Sequence, residues 1–284
     1  MCLAILRKIK RSLLFVISFL ALISAVNAQM IFEDGFESGS LDTTKWYVTW
    51  WTTHQLPDGI KPEIVTSPVR SGKYAVKMSV VYRWHEVEDY NRTELQARRN
   101  DNGEHISFFD VNDREYWIGF SSYLPADWAV DTAEELIFQL HGNSGDRSPP
   151  LGLYINADEW YWYNRWQPDP KGKYSTAGEK ELWRVKYEKG IWVDWVIHAV
   201  WSYKADGFLE IYKDGHSIAR YNGPNCYNDA EGMRGIQTGI YKWPWLAGPT
   251  QVKERTVYLD EFKVGGKNSS YDEVAPNGGR QSGK

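Results

Sequence analysis

The feature that most constrains this chain is alternation. Short runs with apolar residues at every second position follow one another through KYAVKMSVVY (73–82), RTELQAR (92–98), EYWIGFSSYL (115–124), ELIFQLHG (135–142) and LGLYINADEWYWYN (151–164). The same pattern continues in WVDWVIHAVWSY (192–203), GFLEIYKDGHSIARYNG (207–223), GIQTGIYKW (235–243) and TVYLDEFKVG (256–265). No stretch keeps a long 3.6-residue apolar period, and DTAEEL (131–136) is the one short helix the pattern suggests. Asp206-Gly207 and Asp214-Gly215 sit between alternating runs, where hairpin turns belong. These signals predict an all-β fold, a β-jelly-roll sandwich of two antiparallel sheets. The concave sheet of such a sandwich makes a groove suited to an extended polymer.

Residues 1–28 are expected to be a secretory signal peptide. Arg7, Lys8, Lys10 and Arg11 precede the apolar run LLFVISFLALISAV, and Val26-Asn27-Ala28 resembles a small-residue cleavage site. The run is too short for a stable membrane anchor, and no later segment reaches the ~20 apolar residues needed to span a bilayer. Residues 29–266 then read as one β domain, with 267–284 as a flexible tail, and the protein as secreted and monomeric. Of the two cysteines Cys2 leaves with the leader, so Cys226 has no partner for an intrachain disulfide. A net charge of -4 argues against nucleic acid as a partner. Fifteen Trp and eighteen Tyr exceed what a core of this size needs. In an exported protein that excess points to sugar rings, which stack on exposed aromatic faces.

Three strands alternate apolar positions with chemically capable ones. In RTELQAR, Thr93, Leu95 and Ala97 alternate with Arg92, Glu94, Gln96 and Arg98. In IFQLHG, Phe138 and Leu140 alternate with Gln139 and His141, and in GIQTGIYKW, Ile236, Thr238 and Ile240 alternate with Gln237, Gly239 and Tyr241. Side by side in one sheet, these strands would gather Arg92, Gln139, His141 and Tyr241 in one cleft. Arg and an amide can grip a carboxylate, while His and Tyr can exchange protons. Together these are the requirements for β-elimination on a uronic acid. Masking the C6 carboxylate eases removal of the C5 proton, and an acid then protonates the departing O4.

At these residues the chain resembles a known group. RTELQ, FQLHG and GIYKW are similar to the R-[ST]-E-L, Q-[IV]-H and Y-x-K-x-G-x-Y patterns of alginate lyase family 7, a β-jelly roll. The FEDGFESG opening and the VYLDEFKVG ending resemble more closely the glucuronan lyases of polysaccharide lyase family 20 and their heparin lyase I relatives, over roughly residues 30–266. The resemblance implies that Arg92 and Gln139 neutralise the substrate carboxylate. It makes His141 and Tyr241 the proton-transfer pair, with Tyr241 as the acid. Gly235 and Gln237 replace the first Tyr and the Lys of the alginate pattern, which counts against alginate; the resemblance alone makes glucuronan the first expected substrate, with alginate or another uronate polymer next.

Around that centre, Asn91, Glu94, Gln96 and Arg98 are candidates for substrate binding, Glu94 also as the residue that orients Arg92. Trp160, Trp162 and Arg165 in EWYWYNRW join them, with either face of that strand open to the groove; Lys242 and the loop residue His54 rank below. The resemblance also implies a structural Ca²⁺ on Glu33 and Asp260, as hard oxygen ligands. The alternative is that Asp34, Glu37 and Asp260 are turn and edge acids. No organic cofactor is expected. A jelly-roll glycoside hydrolase would need a carboxylate pair, for which Glu86 and Glu88 are the candidates. A non-catalytic carbohydrate-binding protein would explain the aromatics but not the Arg/Gln/His/Tyr set.

Overall fold

A computed structural model describes residues 30–48, 61–82, 91–97, 114–142, 147–172, 175–229 and 233–279. The leader, His54, Glu86, Glu88 and Arg98 lie outside the described residues.

Fifteen strands build two sheets whose pairings are all antiparallel, the jelly-roll sandwich expected from the alternation. One sheet runs in the order β13 (His216–Asn222), β12 (Phe208–Lys213), β11 (Trp192–Val200), β6 (Glu115–Tyr123), β15 (Glu254–Gly265), β4 (Ala75–Val81) and β3 (Glu63–Val65), with β1 (Met30–Asp34) also on β15. The other runs β10 (Gly178–Lys186), β9 (Glu159–Trp166), β8 (Leu151–Ala157), β7 (Asp131–Gly142), β14 (Met233–Tyr241), β5 (Arg92–Ala97) and β2 (Trp46–Val48). The three chemically patterned strands are therefore neighbours, β7-β14-β5, near the middle of one sheet.

The apolar halves of these strands meet between the sheets. Thr93, Leu95 and Ala97 of β5, Phe138 and Leu140 of β7, and Ile236, Thr238 and Ile240 of β14 are all buried. Phe120 of the opposite sheet stacks on Phe138 with centroids 4.8 Å apart. Trp195 meets Trp160, Trp162 and Trp183 edge-on. Such rings bury large apolar areas, which is how this sandwich holds together with its one described cysteine, Cys226, free and buried. Turn chemistry follows the sequence at Asp214-Gly215, where both residues take positive φ in a two-residue hairpin.

Two expectations are corrected, and one strand absent from the sequence reading is added. DTAEEL is not a helix but the start of β7, because Asp131 and Glu135 are drawn inward to buried cations. β10, sequence GEKELWRVK, shows no clean apolar period because it is an exposed edge strand that carries charge along its length. The tail is not flexible throughout. Residues Tyr271–Val274 form a capped helical turn, α1, and Val274 and Ala275 are buried against Val196. At Gly119 of β6 a Cβ would come within 1.9 Å of the Val274 carbonyl oxygen, so α1 can dock only over a glycine.

Candidate active site

The polar halves of β5, β14 and β7 share the other face of their sheet, and the ladder register determines who meets whom. Tyr241 lies opposite Arg92, Gly239 opposite Glu94, and Gln237 between Gln96 and Gln139. The row continues through Gly152 of β8 to Tyr163 of β9.

Arg92 lies flat on Tyr241, its guanidinium carbon 3.6 Å from the ring centroid, a close cation–π contact. Its Nη1 is 3.6 Å from Glu94 Oε2, outside hydrogen-bond reach, and its buried Nε has no hydrogen-bond partner. The cation is thus held in place by stacking, while its donors are only loosely engaged. Glu94 is 1 % exposed and sits beneath this pair. Gly239 makes room for it, since a Cβ there would strike the Thr93 carbonyl oxygen at 2.1 Å. Burial raises the Glu94 carboxyl above the ordinary range, against the Arg92 charge and a hydrogen bond from Gln139 that favour ionisation.

Gln139 Nε2 donates to Glu94 Oε1 at 2.6 Å and to Gln237 Oε1 at 3.1 Å. Both amide hydrogens are therefore directed at protein acceptors. His141 shares the face, with Nδ1 2.6 Å from the Gly142 carbonyl oxygen. It pairs at Gly235, not at Tyr241. From Gly235 to Tyr241 the strand runs roughly 15–20 Å.

The structure brings Arg92, Glu94, Gln96, Gln139 and Tyr241 onto one face, with His141 further along it. Arg165 also faces the groove, its Cζ 4.3 Å from the Tyr163 ring and Nη1 donating to the Tyr154 hydroxyl at 2.9 Å. Asn91 is buried, and both polar atoms of its side chain lack partners among the described residues. Three other candidates fall elsewhere. Trp160 and Trp162 are fully buried and point into the core, so they are not sugar platforms. Lys242 is fully buried on the opposite face from Tyr241, where it meets Asp131 Oδ2 at 3.0 Å, Glu135 Oε2 at 3.5 Å and the Ala133 carbonyl at 3.1 Å. It is a structural cation, not a substrate ligand.

The groove-facing rings of β9 are Tyr161 and Tyr163. They form a patch with Leu136, Tyr154, Tyr241 and Trp243. Tyr154 stacks on Tyr161 at 5.0 Å, and burial pushes its hydroxyl up to about 12. Tyr154, Gln237 and Trp243 were not among the sequence candidates, and Tyr161 and Tyr163 entered only as the alternative face of EWYWYNRW. Knowing which residues of EWYWYNRW fill the core would have picked out those two by parity.

The cation expectation does not fit. Glu33 is largely solvent-exposed, 3.9 Å from Lys263. Asp260 is buried and saturated by the backbone N–H groups of Glu261, Arg70 and Ser71. Among the described residues no three His, Cys, Asp or Glu side chains converge as ligands. Burial lifts the Asp260 carboxyl to about 7.

The sequence matches a family described as polysaccharide lyase over residues 42–263. The chain belongs to that family and is a polysaccharide lyase. An endo-β-1,4-glucuronan lyase from the fungus Trichoderma reesei superposes with a TM-score of 0.62 at 19% identity, covering 81% of this chain and 93% of that one. The marine PL-14 alginate lyase from Aplysia kurodai gives 0.50 at 16% identity, covering 72% and 86%. The binding domain of botulinum neurotoxin DC reaches 0.53 at 12% identity, covering 87% of this chain and 50% of that one. At such identities the likeness is one of fold. No curated protein matches the sequence. Among the described residues no helix is long and apolar enough to cross a membrane.

Proposed function

We propose that this polysaccharide lyase is a secreted, monomeric enzyme that cleaves a uronic-acid polymer by β-elimination, with glucuronan as first substrate and alginate or another uronate polymer next. The observation that carries this is Arg92, stacked 3.6 Å over Tyr241, with Nε unpartnered among the described residues and Nη1 3.6 Å from Glu94. A uronate C6 carboxylate set on that guanidinium would bring C5 and O4 over the tyrosine. The charge-assisted bonds strengthen as negative charge moves from C5 into the carboxylate in the transition state.

The step then balances without water. Starting as the phenolate beside the Arg92 cation, Tyr241 takes the C5 proton, the C5–H electrons form the C4=C5 double bond, the C4–O4 bond breaks with its electron pair leaving on O4, and Tyr241 returns the proton to O4. In glucuronate and mannuronate the C5 proton and O4 lie on the same ring face, so one tyrosine can serve as base and then acid. His141, further along the same face, is the second proton-transfer group of this reading, for uronates whose C5 proton lies on the other face. The Tyr154, Tyr161, Tyr163 and Arg165 patch supports binding of neighbouring units. Secretion is supported by the leader-like first residues; glucuronan rests on the resemblance to glucuronan lyases, and the Gly235 and Gln237 departures count against alginate.

Incubation with glucuronan, alginate, ulvan and heparin-type polymers tests the proposal. Unsaturated product on glucuronan is expected. Reducing ends without the double bond would overturn it, as would cleavage confined to a neutral polysaccharide.

A further inference from the structure

Gln139 presents a problem for carboxylate binding. Its two N–H groups are directed inward, at Glu94 and Gln237, which leaves the carbonyl oxygen for the groove. An oxygen lone pair repels a uronate. The arrangement is the one that suits an ionised Glu94, to which Gln139 Nε2 donates at 2.6 Å while the Arg92 cation lies 3.6 Å away. If Glu94 were neutral, its O–H could donate to the Gln139 carbonyl. The amide would turn over, and its N–H groups would point at the substrate.

Resting on the uronate-lyase reading, we propose that Glu94 is a positioning residue that takes up a proton when the uronate binds, and thereby turns Gln139 from acceptor to donor. Arg92 supplies the coupling. It is the one fixed charge that faces Glu94 among the described residues, at 3.6 Å. Gly239 and Gln237 on β14, Gln139 on β7 and the β2 strand beside Gln96 bring no charge to it. Among the described residues the titratable groups on β2, β14 and β7 of that face are Tyr47, Tyr241 and His141, while Tyr154, Tyr161, Tyr163 and Arg165 lie further out on β8 and β9. An incoming carboxylate claims the Arg92 charge and leaves a carboxylate buried at 1 % exposure without its counter-ion. Protonation is the least costly response, since an unpaired buried charge is strongly disfavoured. The proton comes from solvent, and no other bond is made or broken. Burial already raises Glu94 toward that state.

The test is calorimetric titration of Tyr241→Phe with a short glucuronan oligosaccharide, in buffers of differing ionisation heat, from mildly acidic to mildly alkaline pH. Proton uptake should climb toward one per bound ligand as pH rises. The double variant Tyr241→Phe/Glu94→Gln, whose amide mimics the neutral acid, should bind with no uptake attributable to this site. With Tyr241 intact, Glu94→Gln should lose the alkaline rise in KM, while Glu94→Ala should keep a high KM at every pH. Binding with no uptake, or with equal uptake in both variants, overturns this inference and leaves the lyase reading standing. Absence of binding to any uronate oligosaccharide overturns both.

Discussion

Tyr241 and Lys242 are chain neighbours that point into two buried charged clusters of different construction. Beneath Lys242, two cations and two carboxylates interlock: Lys242 with Asp131 and Glu135, and Arg255 Nε on Glu135 Oε2 at 2.8 Å. Thr250 and the carbonyls of Ala133 and Ala129 add hydrogen bonds, and Trp128 lies 4.2 Å from the Arg255 guanidinium. Charge balances within the cluster. On the Tyr241 side Arg92 is stacked rather than paired, and the Glu94 contact stretches to 3.6 Å. The first cluster pins the end of β14 with each cation on a carboxylate, although Glu135 Oε1 and Arg255 Nη2 keep no hydrogen-bond partner among the described residues. Burial of charge alone does not mark a catalytic site. What differs is the pairing of the cations: Lys242 and Arg255 lie within hydrogen-bond reach of carboxylates, whereas the carboxylate nearest Arg92 stays 3.6 Å away.

If that contrast is right, the largest stability effect falls on the closed cluster. Lys242→Met takes the cation from Asp131 and leaves Glu135 with Arg255 alone, and thermal or denaturant unfolding should register a loss of about 3–5 kcal/mol. Arg92→Ala should cost far less stability but lower kcat/KM on glucuronan roughly 10–100-fold, the worth of about 1.5–3 kcal/mol of hydrogen bonding to a charged group. Equal stability losses in the two variants would erase the distinction.

A second pair divides β9 by face. Trp162→Ala should destabilise by about 3–5 kcal/mol through a core cavity. Tyr163→Ala should leave unfolding nearly unchanged and raise KM for the polymer several-fold. A change in KM alone for Trp162→Ala would return that residue to the groove.

The smallest effect concerns Asp260, a buried acid remote from both clusters. Its folded-state value of about 7 exceeds the ordinary 3.8, so the folded form binds the proton more tightly than the unfolded chain. Its contribution to stability is full below that ordinary value and is lost as pH rises to about 7. Asp260→Asn should flatten that slope in urea titrations, and an unchanged slope would refute the assignment.

The sandwich and the β5, β7 and β14 faces were legible because period-2 alternation directly records which side chains face the core. Tyr241, Gln139 and Arg92 follow from parity alone. Alternation failed where both faces of a strand carry similar residues: in EWYWYNRW aromatic rings sit on each side, so the tryptophans taken for platforms turned out to be core. It failed at DTAEEL because the buried partners of Asp131 and Glu135, Lys242 and Arg255, are more than a hundred residues away. Nor could strand patterns reveal that Gln139 turns its N–H groups inward, since that depends on a contact with Glu94 across the sheet.

The most direct measurement compares wild type with Tyr241→Phe on glucuronan, following ultraviolet absorbance of the unsaturated product alongside reducing ends. Wild type should produce both signals together. Tyr241→Phe should lose about 10²–10⁴-fold or more of the rate while unfolding at the wild-type temperature. A wild-type digest without unsaturation, or a Tyr241→Phe enzyme of undiminished rate, would contradict elimination at Arg92 and Tyr241.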